Sequence, residues 1–193
     1  LHNAYVKLEG GKMSKSKGTY VKLEDIKERG FSALAFRLLV LQNHYRKPLN
    51  FSWQSIEAAH KALYNIVREI SFYEKPKGKC DEFVDEFNEA LADDLNTAKA
   101  LAIIQKILDS DCKDGAKLNT IFKLDKVLGL DLKFLREKAL DFSSDVPPIL
   151  DKRALARKSE DWSESDRLRD KLIALGVEVQ DTADGQKAVQ VKL

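Results

Sequence analysis

The sequence predicts a mainly α-helical protein: an antiparallel helical bundle, preceded by a short extended segment with a lysine-rich loop and followed by a small helix-helix-β-hairpin unit. Three observations predict it. Apolar residues return at intervals of three and four over much of 34–128, the spacing of helix faces turned towards a core. Only 4 prolines occur in 193 residues, so few positions forbid helix. Strict alternation of apolar and polar residues is confined to the far end, at 177–180 and 187–191, and marks two short strands.

Taken in order, Tyr5, Val6 and Leu8 read as a short extended piece, followed by a turn at Gly10-Gly11 and a Lys/Ser loop closed by Gly18. A short helix over 23–28 stops at Gly30. Ser32 caps the next helix, which carries Leu34, Leu38 and Leu41. After Pro48, residues 49–52 read as a turn, with Ser52 as the N-cap of a long helix whose stripe is Ile56, Ala59, Leu63, Ile66, Val67 and Ile70. The linker 75–79 leads to a helix over 81–92, with Phe83, Phe87 and Leu91 inward. Asn96 caps a helix holding Leu101, Ile104 and Leu108, and a helix over 116–128 ends at Gly129. These make a bundle of four or five helices. Periodicity lapses across 141–148. Beyond it Pro148 opens a helix to about residue 159, and Asp161 with Glu164 forms a capping box for another, stopped by Gly176. A turn at Asp184-Gly185 joins the two strands. The expected domains are 1–47, 48–140 and 141–193.

A net charge of +2, with 44% hydrophobic and 33% charged residues, describes an ordinary soluble globular chain whose nucleic-acid binding, if any, must come from local patches. Cys80 and Cys112 belong to no CxxC pair and have no histidine cluster beside them. The expectation is no metal site in this chain, no disulfide-built fold and a reducing, cytoplasmic setting. No apolar run reaches the ~20 residues of a membrane span. The chain starts at Leu1 and its one methionine, Met13, lies inside a motif, so the sequence is expected to be part of a longer chain.

That motif is Lys12-Met13-Ser14-Lys15-Ser16, flanked by Gly11 and Gly18. Ammonium groups on a glycine-hinged loop can meet the charge that develops on a triphosphate as pyrophosphate leaves, and the serines can donate to its oxygens. The plainer alternative is a solvated basic loop. The five-residue string resembles the signature loop of class I aminoacyl-tRNA synthetases, and 2–18 resembles cysteinyl-tRNA synthetase, with Ala4 where that family has glycine. The resemblance implies that Lys12, Met13, Ser14, Lys15 and Ser16 bind ATP, with Lys15 and Lys12 as the catalytic pair.

The same family is resembled further along. Phe36-Arg37, His44-Tyr45-Arg46, Leu49-Asn50-Phe51-Ser52 and Asp93-Asp94-Leu95-Asn96-Thr97-Ala98 follow its series through the helical domain. From the residues alone, Asn96 is a helix N-cap, Asp93 and Asp94 a solvated turn, and His60 a structural histidine. His44, Tyr45 and Arg46 are either a polar helix end or a contact to tRNA or to a catalytic domain. The tail, from Arg153 and Arg157-Lys158 through Asp161-Trp162, Asp166, Arg167 and Arg169 to Asp181-Thr182 and Gly185, resembles the family's anticodon-binding domain. Its chemistry suits single-stranded RNA: arginines for phosphates and stacking, an aromatic platform, and carboxylates for base amino groups. An arbitrary helix with this pattern would be a salt-bridged solvent face with Trp162 as packing. The resemblance implies Arg157, Trp162, Asp166 and Asp181 as the anticodon-reading residues. The ending 187–193 departs from the family's Trp-Arg close.

The family's Rossmann domain, its HIGH signature and its zinc ligands have no counterpart in these 193 residues. The resemblance therefore implies a parent enzyme, monomeric and cytoplasmic, that uses ATP with Mg2+ and holds Zn2+ outside this chain. That enzyme joins cysteine to tRNA(Cys), and this chain is its tRNA-binding, non-catalytic part. Two alternatives stand beside it: a standalone tRNA-binding module, and a relative of the mycothiol-pathway cysteine ligase.

Overall fold

The computed structural model describes residues 4–8, 11–12, 20–182 and 185–190, with only the backbone of Lys12. Met13, Ser14, Lys15 and Ser16 lie outside the described residues, as do Gly10, Gly18, Asp184 and Val191. The chain divides into two compact units, Leu1–Asn65 with Tyr73–Leu132, and Ile66–Phe72 with Lys133–Leu193. The protein is mainly helical, with a small antiparallel hairpin at its end.

The larger unit begins with a three-stranded sheet in the order β2-β1-β3, where β1 is Val6–Leu8, β2 Gly11–Lys12 and β3 Leu49–Phe51. β1 pairs antiparallel with β2 and parallel with β3, Val6 opposite Leu49 and Leu8 opposite Phe51. Residues 49–51 are thus a strand and not the turn that local sequence predicts. Phe51 is buried and Asn50 exposed, a period of two that is too short to be conspicuous, and the partner strand is remote in sequence. Between β1 and β3 run α1 (Leu23–Glu28) and α2 (Ala33–Leu41), the latter capped by Ser32, whose Oγ accepts from the Leu34 N–H at 3.1 Å. Ile26, Ala35, Leu39, Phe51, Ile56 and Ala59 form one buried cluster here.

α3 (Trp53–Ser71) opens on a reciprocal cap: Ser55 N–H donates to Ser52 Oγ and Ser52 N–H to Ser55 Oγ, both at 3.0 Å. Its predicted stripe is buried at Ile56, Ala59, Leu63, Val67 and Ile70. His60 is structural, as its position beside that stripe implies. Its Nδ1 accepts the Ser32 N–H at 3.3 Å, and burial lowers its pKa, so the ring is neutral.

The bundle proper is α4 (Asp81–Ala92), α5 (Thr97–Asp109) and α6 (Asp114–Leu128), with α2 against α5. Asn96 caps α5 by accepting the Lys99 N–H at 3.1 Å. The buried face of α5 is Ala100, Ile103, Ile104 and Ile107, turned away from the predicted Leu101 and Leu108, which are half-buried. A run of Leu and Ile on adjacent positions supports either stripe, and packing against α4 and α6 selects between them. Gly129 ends α6 at φ 66°, and a Cβ there would lie 2.8 Å from Arg37 Nη2. The Arg37 Nε donates to the Leu128 carbonyl at 2.6 Å. Just upstream, the buried Asp125 carboxylate accepts the N–H groups of Leu130 (2.9 Å) and Leu132 (2.7 Å).

The smaller unit holds most of α7 (Leu132–Ala139), then α8 (Val146–Lys158), α9 (Trp162–Ala174), β4 (Val177–Thr182) and β5 (Gly185–Gln190). No element is expected from sequence at α7. Its buried Leu132, Leu135 and Ala139 are helically spaced but interrupted by Lys133, Arg136, Glu137 and Lys138. Val146, Ile149, Leu168, Leu172, Val177 and Val179 make the core. Residues of the Ile66–Phe72 segment are tied in by polar contacts: Arg68 pairs with Glu178, Arg136 Nε donates to the Ile70 carbonyl at 2.9 Å, and Lys187 Nζ to that of Phe72 at 2.6 Å. The predicted capping box of α9 is half formed. Asp161 Oδ1 accepts the Glu164 N–H at 3.1 Å, but the Asp161 N–H bonds to Ala156 O, and the Glu164 carboxylate is held by Arg167.

Removing the Asp125 carboxylate would leave two buried N–H groups unpaired. Asp125→Ala should lower stability by roughly 2–4 kcal/mol, with Asp125→Asn milder, in urea unfolding followed by Trp53 fluorescence. A loss below about 0.5 kcal/mol would show that water replaces the carboxylate.

Candidate nucleic-acid interface

Helix α8 turns Val146, Ile149, Arg153 and Ala156 inward at spacings of three, four and three. An arginine therefore occupies a core position, with its side chain 1% exposed. A buried guanidinium needs an anion and matched acceptors. Arg153 Nη1 donates to Asp181 Oδ1 at 2.8 Å and Nη2 to Asp181 Oδ2 at 3.0 Å, a two-pronged pair. Nη1 also donates to Gln186 Oε1 at 2.6 Å, and Gln186 Nε2 donates onward to the Leu150 carbonyl at 2.6 Å. Asp181 and Gln186 are register partners across the hairpin, so one guanidinium holds both strands against α8.

One helical turn further, Arg157 emerges at the surface. Its Nη1 lies 3.1 Å from Asp181 Oδ2, and its guanidinium carbon lies 5.7 Å from the ring centroid of Trp162. Trp162, the first residue of α9, is 56% exposed, so it does not serve the core. Three of the four residues implied by resemblance, Arg157, Trp162 and Asp181, thus form one connected group. Asp166 is exposed one turn along α9 from Trp162, on the same side of the helix, and no described contact links it to the group. Lys152, Leu155 and Lys158 line an open hollow on α8. The sequence reading passed over Arg153 and Gln186 as site residues. The signal for Arg153 was available, since a cation at a position of the apolar stripe must meet a counter-charge.

This arrangement offers an exposed indole face, a guanidinium beside it and an ionised carboxylate. Those are the groups that stack on an unpaired base and accept its amino or imino hydrogens. Hydrogen bonds from Arg153, and then the charges of Arg153, Arg157 and Arg169, hold the Asp181 carboxyl below the usual carboxylate range, against a push upward from burial.

The remaining candidates are placed as follows. Lys12 closes β2, while Met13, Ser14, Lys15 and Ser16 lie outside the described residues. His44, Tyr45 and Arg46 make contacts within the chain, to Asp94. The Tyr45 hydroxyl donates to Asp94 Oδ1 at 2.6 Å, Arg46 Nε lies 2.7 Å from Asp94 Oδ2, and His44 Nε2 lies 3.7 Å from the same oxygen. Asp94 and Leu95 both have a φ of 53°, a conformation that side chains rarely adopt, and this clasp secures the turn that contains them. Arg46 lowers the Asp94 pKa, and Asp94 raises those of Tyr45 and Arg46. The fold brings the thiols of Cys80 and Cys112 together, though both are free. Burial first, and then the Cys112 thiol, push Cys80 up to about 11, so it is no nucleophile. Among the described residues no three His, Cys, Asp or Glu side chains gather as a metal-ligand set, and no helix is long and apolar enough to cross a membrane.

A carboxyl whose pKa is lower folded than unfolded stabilises the fold above the unfolded value, and that stabilisation fades as pH falls towards the folded value. The smaller unit should therefore keep its stability from about pH 7 to about pH 4 and lose it below. Asp181→Asn should be less stable near neutrality, and its deficit should shrink in acid. Urea unfolding followed by Trp162 fluorescence, in a Trp53→Phe background, reads this. A deficit that stays constant down to about pH 2.5 would assign the defect to packing alone.

Two family models match the chain: "tRNA synthetases class I (C) catalytic domain" over residues 1–61, and "Cysteinyl-tRNA ligase anticodon binding domain" over residues 139–187. The second spans α8, α9, β4 and the Arg153–Asp181 pair. Among curated proteins, the chain is 38% identical to Cysteine–tRNA ligase 1 of Burkholderia lata, over 91% of its own length and 37% of that protein's. It is 36% identical to the cysteine–tRNA ligase of Novosphingobium aromaticivorans, over 94% and 40%, and 35% identical to that of Leptospira interrogans, over 96% and 44%. The chain spans about two fifths of the length of these relatives. With a class I catalytic-domain match at its front and an anticodon-binding match across the exposed Trp162 and the Asp181 clamp, the chain belongs to the cysteinyl-tRNA synthetase family.

Proposed function

We propose that this chain is the tRNA-binding part of an enzyme that activates cysteine with ATP and Mg2+ in the cytoplasm and transfers it to tRNA(Cys). The observation that carries the reading is the connected group Trp162–Arg157–Asp181 on the smaller unit, within the anticodon-binding match. In this reading Trp162 stacks on an unpaired base, Arg157 meets a base edge or phosphate, and Asp181 and Asp166 accept base hydrogens. Residues 141–193 form the anticodon domain, 48–140 the helical domain, and 1–47 the end of the catalytic region. There the loop closes on the triphosphate, with Lys15 and Lys12 neutralising charge as pyrophosphate departs. Zinc belongs to the rest of the enzyme. The anticodon-binding match counts against a mycothiol-pathway ligase, which has no use for a tRNA reader.

Fluorescence anisotropy with a stem-loop carrying GCA, and with base-changed controls over a salt series, tests the RNA reading. The chain should prefer GCA, and Trp162→Ala should weaken binding about tenfold with an unchanged melting curve. Equal binding of every loop, fading together as salt rises, would reject anticodon reading. In the whole enzyme, Lys15→Ala should slow adenylate formation at least about a hundredfold while tRNA affinity changes little. Unchanged activation there would remove the loop from the chemistry.

A further inference from the structure

The Asp181 carboxylate has about four acceptor positions. Arg153 takes one on each oxygen, and Arg157 takes a second on Oδ2. Only Oδ1 retains a position that these contacts leave open, and the side chain is 30% exposed. The two arginines differ in kind. Arg157 is 34% exposed and free to exchange its contact for a ligand. Arg153 is 1% exposed and is gripped by Asp181 and Gln186 together, with Gln186 fastened in turn to the α8 backbone. Its Nε finds no partner among the described residues, so the side chain is not placed there to satisfy all its own donors. The burial is explained by what it fixes: the angle and the charge of one carboxylate at the hairpin's edge.

We propose that Arg153, locked by Gln186, is the positioning residue of the base-reading site, fixing Asp181 so that one oxygen accepts a single hydrogen from one RNA base. Arg153 touches no RNA itself. It determines which hydrogen donor the site takes by leaving one acceptor and no donor on the carboxylate. A base offering an acceptor at that place meets an uncompensated anion and is rejected. The inference rests on the reading of Asp181 as an anticodon contact.

The test measures the ratio of dissociation constants between GCA and a control changed at each anticodon base in turn, for the 193-residue chain and its variants. Asp181→Asn identifies the base position read by this carboxylate. Arg153→Lys keeps the charge but loses the planar fork. It should reduce the ratio about tenfold at that same position and leave the other two positions at the parent's ratios. A defect of packing alone would lower all three positions together, and that pattern, or an unchanged ratio at the Asp181 position, overturns the proposal. Should Arg153→Lys fail to fold by circular dichroism, Gln186→Ala, at a half-buried site, should show the same position-specific loss at about threefold. If neither variant folds, Arg153 is a core residue only and the proposal fails. A parent chain without GCA preference rejects the anticodon reading itself. A preference that survives both folded variants rejects only the role of Arg153.

Discussion

A cation withdrawn from water has to be met by an anion and by acceptors at fixed angles, and in the smaller unit this demand organises everything near it. Arg153 occupies a position of α8 that the helical period assigns to the core. Its fork therefore has to find partners on whatever packs there, and the hairpin supplies them as the register pair Asp181 and Gln186. The pairing sets how the hairpin lies on α8. It also fixes where Asp181 emerges and which neighbour, Arg157, can reach it from the surface. A two-stranded hairpin has little stability of its own, so a directional anchor of this kind matters more here than it would in a broad sheet.

The larger unit meets the same demand with the sign reversed. Asp125 is buried, and its carboxylate gathers backbone N–H groups from the turn after α6 where Arg153 gathers a carboxylate. Burial pushes its pKa up while those N–H groups pull it down. Asp94 lies at the surface, and its ring of Tyr45, Arg46 and His44 is screened by water. It contributes geometry to a turn of two left-handed residues more than it contributes stability. Three carboxylates thus perform different tasks according to depth: a helix stop at Asp125, a turn clasp at Asp94 and, at Asp181, an anchor for Arg153 that the proposed function makes a recognition group.

Local features were legible in the sequence because the partners lie within a few residues. Ser32, Ser52, Asn96 and Asp161 cap their helices through N–H groups two or three residues on, and Gly129 ends α6 with a left-handed φ of 66°. What was not legible depends on remote contacts. Residues 49–51 become a strand only because β1 lies alongside, and the inward face of α5 follows Ile103 and Ile107 because α4 and α6 select them. The resemblance indicated Arg157, Trp162 and Asp181, and their mutual contacts were invisible until the hairpin was placed beside α8. Arg153 was the converse case. Its position on an apolar stripe was plain, yet its partners were not.

The parallel pairing of β1 with β3 also dictates an order of assembly. Val6 cannot meet Leu49, nor Leu8 meet Phe51, until every residue between them has been synthesised. At roughly 5–20 residues per second, that is a wait on the order of 2–9 s on the ribosome. During it, α1 and α2 can coil locally while the edge of β1 that will take β3 stays open. The sheet therefore closes behind the helices: β1 is made before α1 and α2, yet its β3 edge is secured only after them.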